Sequence, residues 1–517
     1  MACNVSVSKN AYRETGQTSY ACSNCYTVFR LILELLSIPG AADSKPPILW
    51  TCKASHDEGG ACVGAYVSNS ANCVNVANSS RDARHPSKRG KSMTRLIALL
   101  STSLLALAAG AASANVTLIH AGELLAVPGE APATNMTIIV EDQRITGVQK
   151  GFVEAEGAKI IDLRDKFVLP GLMDMHVHLQ GELGPHNDRD ALKMSDQLMQ
   201  MRSLYFAMKT LNAGFTTVRD VGSSAQEMYA MRDAINNGWV DGPRIIAAGG
   251  VGITGGHADI SGVSPDLMEI YTSPNVCDGP YDCRRATRNV IKYGADLVKI
   301  TSTGGVMTER ATGTGQQMEM DELQEVVRAA ARMGRKVASH AHEEEGIIAA
   351  LEAGVASIEH GTYTGPRAIK LFKETGAYLV PTLLAGKTVA TLAVEADFMA
   401  QAVKDKAIRV GNDMAGNFAK AHKAGVNIAY GTDSGISPHG TNAQEAVLMV
   451  EAGMTAMDVI VAATINAADL IDMSDDIGTI ENGKFADIIA VDDSPLDDIE
   501  QLLDVDFVMK GGRVHKQ

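Results

Sequence analysis

The chain predicts an α/β fold: a (β/α)8 barrel of the TIM type, with a small β-sandwich domain built from both ends of the mature chain. Three observations carry that expectation. Eight short apolar runs alternate with helix-like stretches through the middle of the sequence, the cadence of βα units around a parallel sheet. Residues able to hold a cation close five of those runs, and strand C-termini of a parallel barrel converge on one mouth. Short strand-and-turn blocks of similar texture lie at either end.

Residues 1–92 differ in kind from the remainder of the chain. They carry ten Lys/Arg against six Asp/Glu, a net of +4, in a chain whose formal charge is −15. Six of the eight cysteines (Cys3, Cys22, Cys25, Cys52, Cys62, Cys73) fall there too. No sustained hydrophobic period runs through the segment, so it reads as an over-extended start and not as a folded domain. From Met93, MTRLIALLSTSLLALAAGAASA has the plan of a secretion signal over 93–114. Arg95 is its positive start, Leu96 to Ala109 its apolar stretch, and Ala112-Ser113-Ala114 its small-residue ending. Such signals act at an N-terminus. Translation is therefore expected to begin at Met93, and the mature chain, 115–517, to be periplasmic or secreted. The alternative is an uncleaved membrane anchor. Ser and Thr inside the stretch weigh against it, because a spanning helix needs ~20 residues of firmer apolarity. The remaining residues are acidic, which makes nucleic acid and anionic lipid poor partners.

From Asn115 to about Lys166, VTLIHAGELLAV, MTIIVEDQRITGVQ and AKIIDLRDK read as strands joined by turns. IGTIENGKFADIIAVD and DVDFVMKGGRVHK repeat the texture at the C-terminus, so 115–166 and 477–517 are expected to form one sandwich. The barrel region is then 167–476. Its strand candidates are Phe167–His178, Phe215–Asp220, Pro243–Ala248, Leu297–Thr301, Lys336–His340, Ser357–His360, Tyr378–Thr382 and Asn427–Asp433. Asp188–Asn212, Met320–Met333 and Glu343–Ala353 read as helices. LNAGFTT, EAGVAS and KAGVNI each put Gly at a helix end just before a strand. Cys277 and Cys283 flank a Gly/Pro-containing loop, where an oxidising compartment favours a local disulfide over two unpaired thiols.

His176 and His178 stand two apart in LPGLMDMHVHL, so on a strand both point to one side and can grip one ion together. Lys299 in ADLVKITS, His340 in KVASHAH, His360 in ASIEHGT and Asp433 in IAYGTDSG each end an apolar run. Histidine, carboxylate and carbamate suit divalent zinc-like ions, and two ions are possible because six ligands exceed one tetrahedral shell. Lys299 is the discriminating residue, since an ammonium cannot bind a cation. Flanked by Val298 and Ile300 and aimed into the barrel, its pKa should fall through desolvation and nearby metal charge. A neutral amine can take up carbon dioxide as a carbamate that bridges two metals. The alternative is a lysine reaching solvent from a strand end.

His340 and His342 compete for the fifth-strand position. His340 is favoured because it ends the apolar run, which leaves His342 to orient it or touch substrate. Asp433 is the expected acceptor of a proton from the attacking water and its donor to the leaving nitrogen. The alternative is a turn-forming aspartate. His257, in the Gly-rich TGGHADISG after the third strand, is a candidate catalytic or substrate-binding group. Arg219, Arg310 and His439 lie at or after the ends of strands two, four and eight, as candidates for a substrate carboxylate. A loop salt bridge or a solvated charge is the alternative for each.

Together, PGLMDMHVHL, the strand-four lysine, the two later histidines, GTD and the tail Gly-x-Ile-x-x-Gly-Lys-Phe-Ala-Asp-Ile resemble the amidohydrolase superfamily over essentially all of 115–517. Residues 1–92 match nothing in it. Within it the chain is similar to the prolidase-type branch (Xaa-Pro dipeptidase or metallo-carboxypeptidase-like enzymes) and to bacterial ochratoxin-degrading amidohydrolases. The resemblance implies two zinc ions at His176, His178, His340, His360 and Asp433, bridged by carboxylated Lys299. It also implies a homo-oligomer. The implied reaction is hydrolysis of an amide bond by metal-activated water. The implied substrates are small N-acyl amino acids or dipeptides of the Xaa-Pro or Xaa-Arg/Lys type, or ochratoxin A yielding ochratoxin α and phenylalanine. Three rivals stand beside it. A one-metal deaminase or cyclic-amide hydrolase of the imidazolonepropionase kind would use His340-Ala341-His342-Glu343, but it needs no strand-four lysine. A lactonase or phosphotriesterase would share the binuclear core. A binding protein on an inactive scaffold would not need the full ligand set.

Overall fold

The computed structural model describes the strand pair Lys53–His56 and Cys62–Tyr66 and residues 116–517 apart from 310–312. The rest of 1–115, including all of the expected signal 93–114, and Arg310 lie outside the described residues. The strand pair is antiparallel and belongs to a unit, Met1–Ala109, separate from Gly110–Gln517.

Both ends of 116–517 contribute to one seven-stranded sheet. In spatial order it runs Arg513–Lys516, Phe507–Lys510, Ile488–Val491, Lys159–Pro170, Val116–Leu124, Ala133–Glu141 and Arg144–Lys150. Neighbours are antiparallel except Val116–Leu124 beside Lys159–Pro170. The sheet curls on itself. Ile145 N donates to Lys484 O and Ala486 N to Gln143 O, both at 2.9 Å, so the edge strand meets the segment that leads into Ile488–Val491. Ile119, Ile138, Ile161, Val168, Ile488 and Phe507 belong to a core of its own, the apolar half of a two-residue alternation.

Among the described residues, eight parallel strands, one to eight, follow one another in chain order through the larger, nine-stranded sheet: Leu172–Val177, Phe215–Asp220, Arg244–Ile253, Leu297–Thr301, Val337–Ala341, Ser357–His360, Tyr378–Val380 and Asn427–Ile428; the ninth, Val276–Cys277, pairs with strand three. The circle closes through the chain beyond strand eight. Met175 N donates to Tyr430 O (2.8 Å), Asp433 N to His176 O (2.7 Å) and His178 N to Ser434 O (2.7 Å). This is the expected barrel.

Several boundaries differ from the sequence reading. The run Phe167–His178 is two strands divided at Gly171: Phe167–Pro170 pairs with Ile488–Val491 in the end sheet, and Leu172 opens the barrel. A Cβ at Gly171 would overlap the side chain of Thr216, so only glycine fits this passage between sheets. Both halves are buried, which is why hydropathy alone shows no break. Asp188–Asn212 is likewise two helices, Asn187–Lys193 and Asp196–Asn212, with Ser195 accepting from Leu198 N (3.3 Å) as the second N-cap. Between strands seven and eight lies a pair of helices, Leu383–Glu395 and Gln401–Lys423. The expected disulfide joins Cys277 to Cys283, tying the short strand Val276–Cys277 to helix Gly279–Tyr293.

Candidate metal centre

His176, His178, Lys299, His340, His360 and Asp433 all line one cavity of about 380 Å3, joined by His257 and His342. Ring centroids lie 5.0 Å apart for His176 and His360, 4.6 Å for His340 and His360, and 5.3 Å for His176 and His178. His176, His360 and Asp433 each offer a ligand atom within 4.8 Å of the others. Backbone strain helps gather them: His360 (φ +72°), Asp433 (φ +58°) and Thr382 (φ +53°) are all left-handed without being glycine. Such residues cost of order 1–3 kcal/mol each and persist where surrounding structure over-determines them.

A buried frame orients the rings. His176 Nδ1 lies 2.8 Å from Glu359 Oε2, and Glu359 in turn accepts from Arg219 Nη2 (2.8 Å) and Ser357 Oγ. His360 Nδ1 pairs with Thr382 Oγ1 (2.7 Å), His342 Nδ1 with Thr362 Oγ1 (2.8 Å) and His257 Nδ1 with Thr308 Oγ1. With each Nδ1 engaged, Nε2 is left for a ligand, the usual arrangement of a metal-binding imidazole and its outer partner. Asp174 locks the loop across the barrel, accepting from Thr432 Oγ1 (2.6 Å), Asn442 Nδ2 (2.8 Å) and His176 N (3.0 Å).

Burial sets the charge state. It lowers His176 and His257 to about 4 and His342 to about 3, and takes His340 and His360 well below the usual value, so these imidazoles are neutral. Burial also pulls the Lys299 ammonium down to about 8, against the opposing pull of Glu359 and Asp433. For Asp433 burial acts upward, but His176, His178 and Lys299 together hold its carboxyl below the usual range. His178 Nε2 is 3.1 Å from Asp433 Oδ1, yet no donor is aligned on that buried oxygen. Burial works to lower His178, but the Asp433 carboxylate holds it above the usual value. An ionised carboxylate gathered with the buried neutral imidazoles of His176 and His360 is an arrangement that suits a cation. The donor set fits a divalent ion.

Two expected substrate contacts are corrected. Arg219 is 2% exposed and does not line the cavity. Its guanidinium bonds Met175 O (2.6 Å), Ser357 Oγ (3.1 Å) and Glu359, so it supports His176 from behind. His439 is buried against Phe206, with ring centroids 4.7 Å apart, and its Nε2 contacts Gly181 O at 3.0 Å. A strand-end position does not say which side of the sheet a long side chain takes. Glu359 and Asp174 were missed. Each sits next to or two residues from a candidate ligand histidine on an otherwise apolar strand, where a buried carboxylate needs partners, and that spacing is the local signal for them.

The amidohydrolase family model matches residues 167–515. The chain belongs to the amidohydrolase family. This amidohydrolase is 31% identical to the ochratoxinase of Aspergillus niger over 440 residues, 78% of this chain and 87% of that protein. Among solved structures it is similar to a Xaa-Pro dipeptidase with bound methionine in the active site, at 42% identity and a TM-score of 0.75. That match covers 78% of this chain and 100% of the other. It is also similar to a prolidase complexed with N-methylphosphonate-L-proline, at 28% identity and a TM-score of 0.71, over 78% and 100% of the two chains. As an amidohydrolase it is a hydrolase of C–N amide bonds, in a family that generally uses a divalent metal.

Proposed function

We propose that the protein is a binuclear zinc enzyme that hydrolyses the amide bond of small N-acyl amino acids or dipeptides. The observation that carries the reading is Lys299: a buried amine brought to about 8, facing the same cavity as six histidines and an aspartate. Glu359 and Asp433 act on Lys299 through their charge; as a carbamate it would offer oxygen ligands to two cations. His176, His178 and Asp433 would hold one ion, His340 and His360 the other. When bound, such ions supply Lewis acidity toward water and the scissile carbonyl.

The chain's own residues do the rest. Asp433, ionised and with Oδ1 lacking a donor, accepts the proton of the attacking water and delivers it to the departing nitrogen. Glu359, clamped by Arg219, keeps His176 in one orientation. His257, neutral and held by Thr308, faces the cavity where it can orient substrate. The names of the relatives support the substrate class: an ochratoxinase, a Xaa-Pro dipeptidase and a prolidase with a proline phosphonate.

Metal analysis of zinc-loaded protein should return two ions per chain. Labelling with 13C-bicarbonate should give a carbamate resonance that Lys299→Ala abolishes. At least one series among N-acyl-phenylalanines, Xaa-Pro dipeptides and Xaa-Arg dipeptides should be split at the amide bond. One ion per chain with no carbamate signal would favour the one-metal deaminase reading instead. We further propose export with cleavage after Ala114, for which N-terminal sequencing of periplasmic protein should read from Asn115.

A further inference from the structure

The cavity has two unlike sides. The strand ends carry the candidate ligands, while the facing side is apolar and comes mainly from the helix pair between strands seven and eight. Ala385, Gly386 and Val389 of the first helix and Val410 and Met414 of the second line it, with Ile436 beside them. Spacings of three to four residues put each set on one helical face. Val389, Val410 and Met414 are buried.

That wall is anchored to the site. Thr382, which bonds His360, immediately precedes the first helix, and the N–H groups of Leu383 and Leu384 donate to the buried Glu445 carboxyl at 2.8 and 2.6 Å. On the second helix Lys406 donates to Gly305 O (3.0 Å) and Thr308 O (2.5 Å), fastening it to the loop after strand four. The helices meet through glycine: a Cβ at Gly411 would lie 2.6 Å from Gly386 O, and one at Gly386 would lie 2.6 Å from Met414 Sδ. Met414 therefore rests in the groove that Gly386 leaves, and any side chain there would displace it.

Charge is as telling as shape. Among the described residues lining the cavity, the ionisable ones are histidines, Lys299 and Asp433, all within or beside the proposed metal centre. Among the described residues, those of the helix pair that line the cavity (Ala385, Gly386, Val389, Val410 and Met414) carry no charge, so an ionic substrate group set against them would lose its hydration without compensation. A volume of about 380 Å3 is also at the small end of the roughly 300–1,000 Å3 typical of ligand pockets.

We infer that the helix pair is the specificity wall of this hydrolase. It selects substrates whose facing side chain is neutral, apolar and no larger than leucine or methionine, with Gly386, Val389 and Met414 setting the limit. The inference rests on the proposed amide hydrolysis and narrows its substrate range, setting aside Xaa-Arg and Xaa-Lys.

The test uses zinc-loaded protein and two dipeptide panels, one varying the N-terminal and one the C-terminal residue among Leu, Met, Phe, Lys and Glu. At one of the two positions, kcat/KM for Leu and Met should exceed that for Lys and Glu by at least about tenfold, the equivalent of ~1.4 kcal/mol. At that position Met414→Ala should shift the optimum toward Phe. Val389→Asp should raise Lys relative to Leu by about tenfold or more. Ratios within each variant are the readout, so a general loss of turnover does not obscure them. Calorimetry on the same protein should show free methionine binding at least about tenfold more tightly than free lysine. Equal use of Lys and Leu at both positions, or ratios unmoved by both substitutions, overturns the inference. Dipeptides cleaved without preference would leave the hydrolase reading standing and the wall refuted. Methionine preference in binding with no dipeptide cleaved would do the reverse.

Discussion

The Arg219 guanidinium spends three nitrogens inside the protein, on Met175 O, Ser357 Oγ and Glu359 Oε1. Burial works to raise the Glu359 carboxyl, but Arg219 and His176 more than offset it and bring it to about 2. Removing one partner of a buried pair strands the other's charge, at about 3–5 kcal/mol. Arg219→Met should therefore lower unfolding stability in urea by about that amount, and should weaken zinc binding by about 10–100-fold through His176. A variant of wild-type stability would show that the pair carries little. Lys299 gives a second expectation. Its folded value of about 8 means the amine is protonated below that pH and neutral above it. At fixed dissolved carbon dioxide, reactivation of metal-free protein by zinc should accelerate as pH rises through about 8, and Lys299→Ala should show no such step and almost no turnover. Legibility at this scale was uneven. The six candidate ligands could be read because i, i+2 spacing and a polar residue set in or after an apolar run are local properties, although Lys299 proves to be mid-strand and Asp433 to lie beyond strand eight. Arg219 and Glu359 could not be assigned, because their roles exist only where strands one, two and six meet.

At the scale of elements, the helix Leu383–Glu395 owes its placement to Glu445, whose carboxyl takes its first two N–H groups. Burial raises that carboxyl to about 8, even though the two N–H donors pull it the other way. A folded value above the unfolded 4.5 means the native state holds the proton more tightly. That contribution is complete below about pH 4.5 and is lost as pH rises through about 8. Thermal melts of metal-free protein should fall in Tm across that window, and Glu445→Gln should flatten the fall. The Cys277–Cys283 bridge closes a short loop, worth about 2 kcal/mol by loop entropy. Cys277→Ser should lower unfolding stability by about that much while leaving kcat/KM close to wild type. The helix pair itself was not marked in the sequence as part of a site. Its cavity-lining positions are ordinary apolar residues at helical spacing, indistinguishable from core until the strands they face are known.

Across the whole molecule, the barrel mouth gathers buried groups that are poorly compensated on their own: neutral imidazoles, an amine lowered by burial and a carboxylate oxygen without a donor. An ion that binds only the folded state stabilises it by mass action. Chelation should thus lower Tm together with activity, and zinc should restore both; loss of activity with an unchanged Tm would count against the proposed metal set. The alternation of apolar runs and helices determined the barrel. The matching blocks at the two ends determined their shared sheet, and the paired cysteines their bridge. These follow from periodicities and spacings that a strand or helix imposes on its own residues. Only tertiary structure decided that the first apolar run divides at Gly171, that Arg219 and His439 turn away from the cavity, and that two unremarkable helices form its apolar side. Direction and burial depend on what packs against an element, and that information is spread over residues hundreds of positions apart.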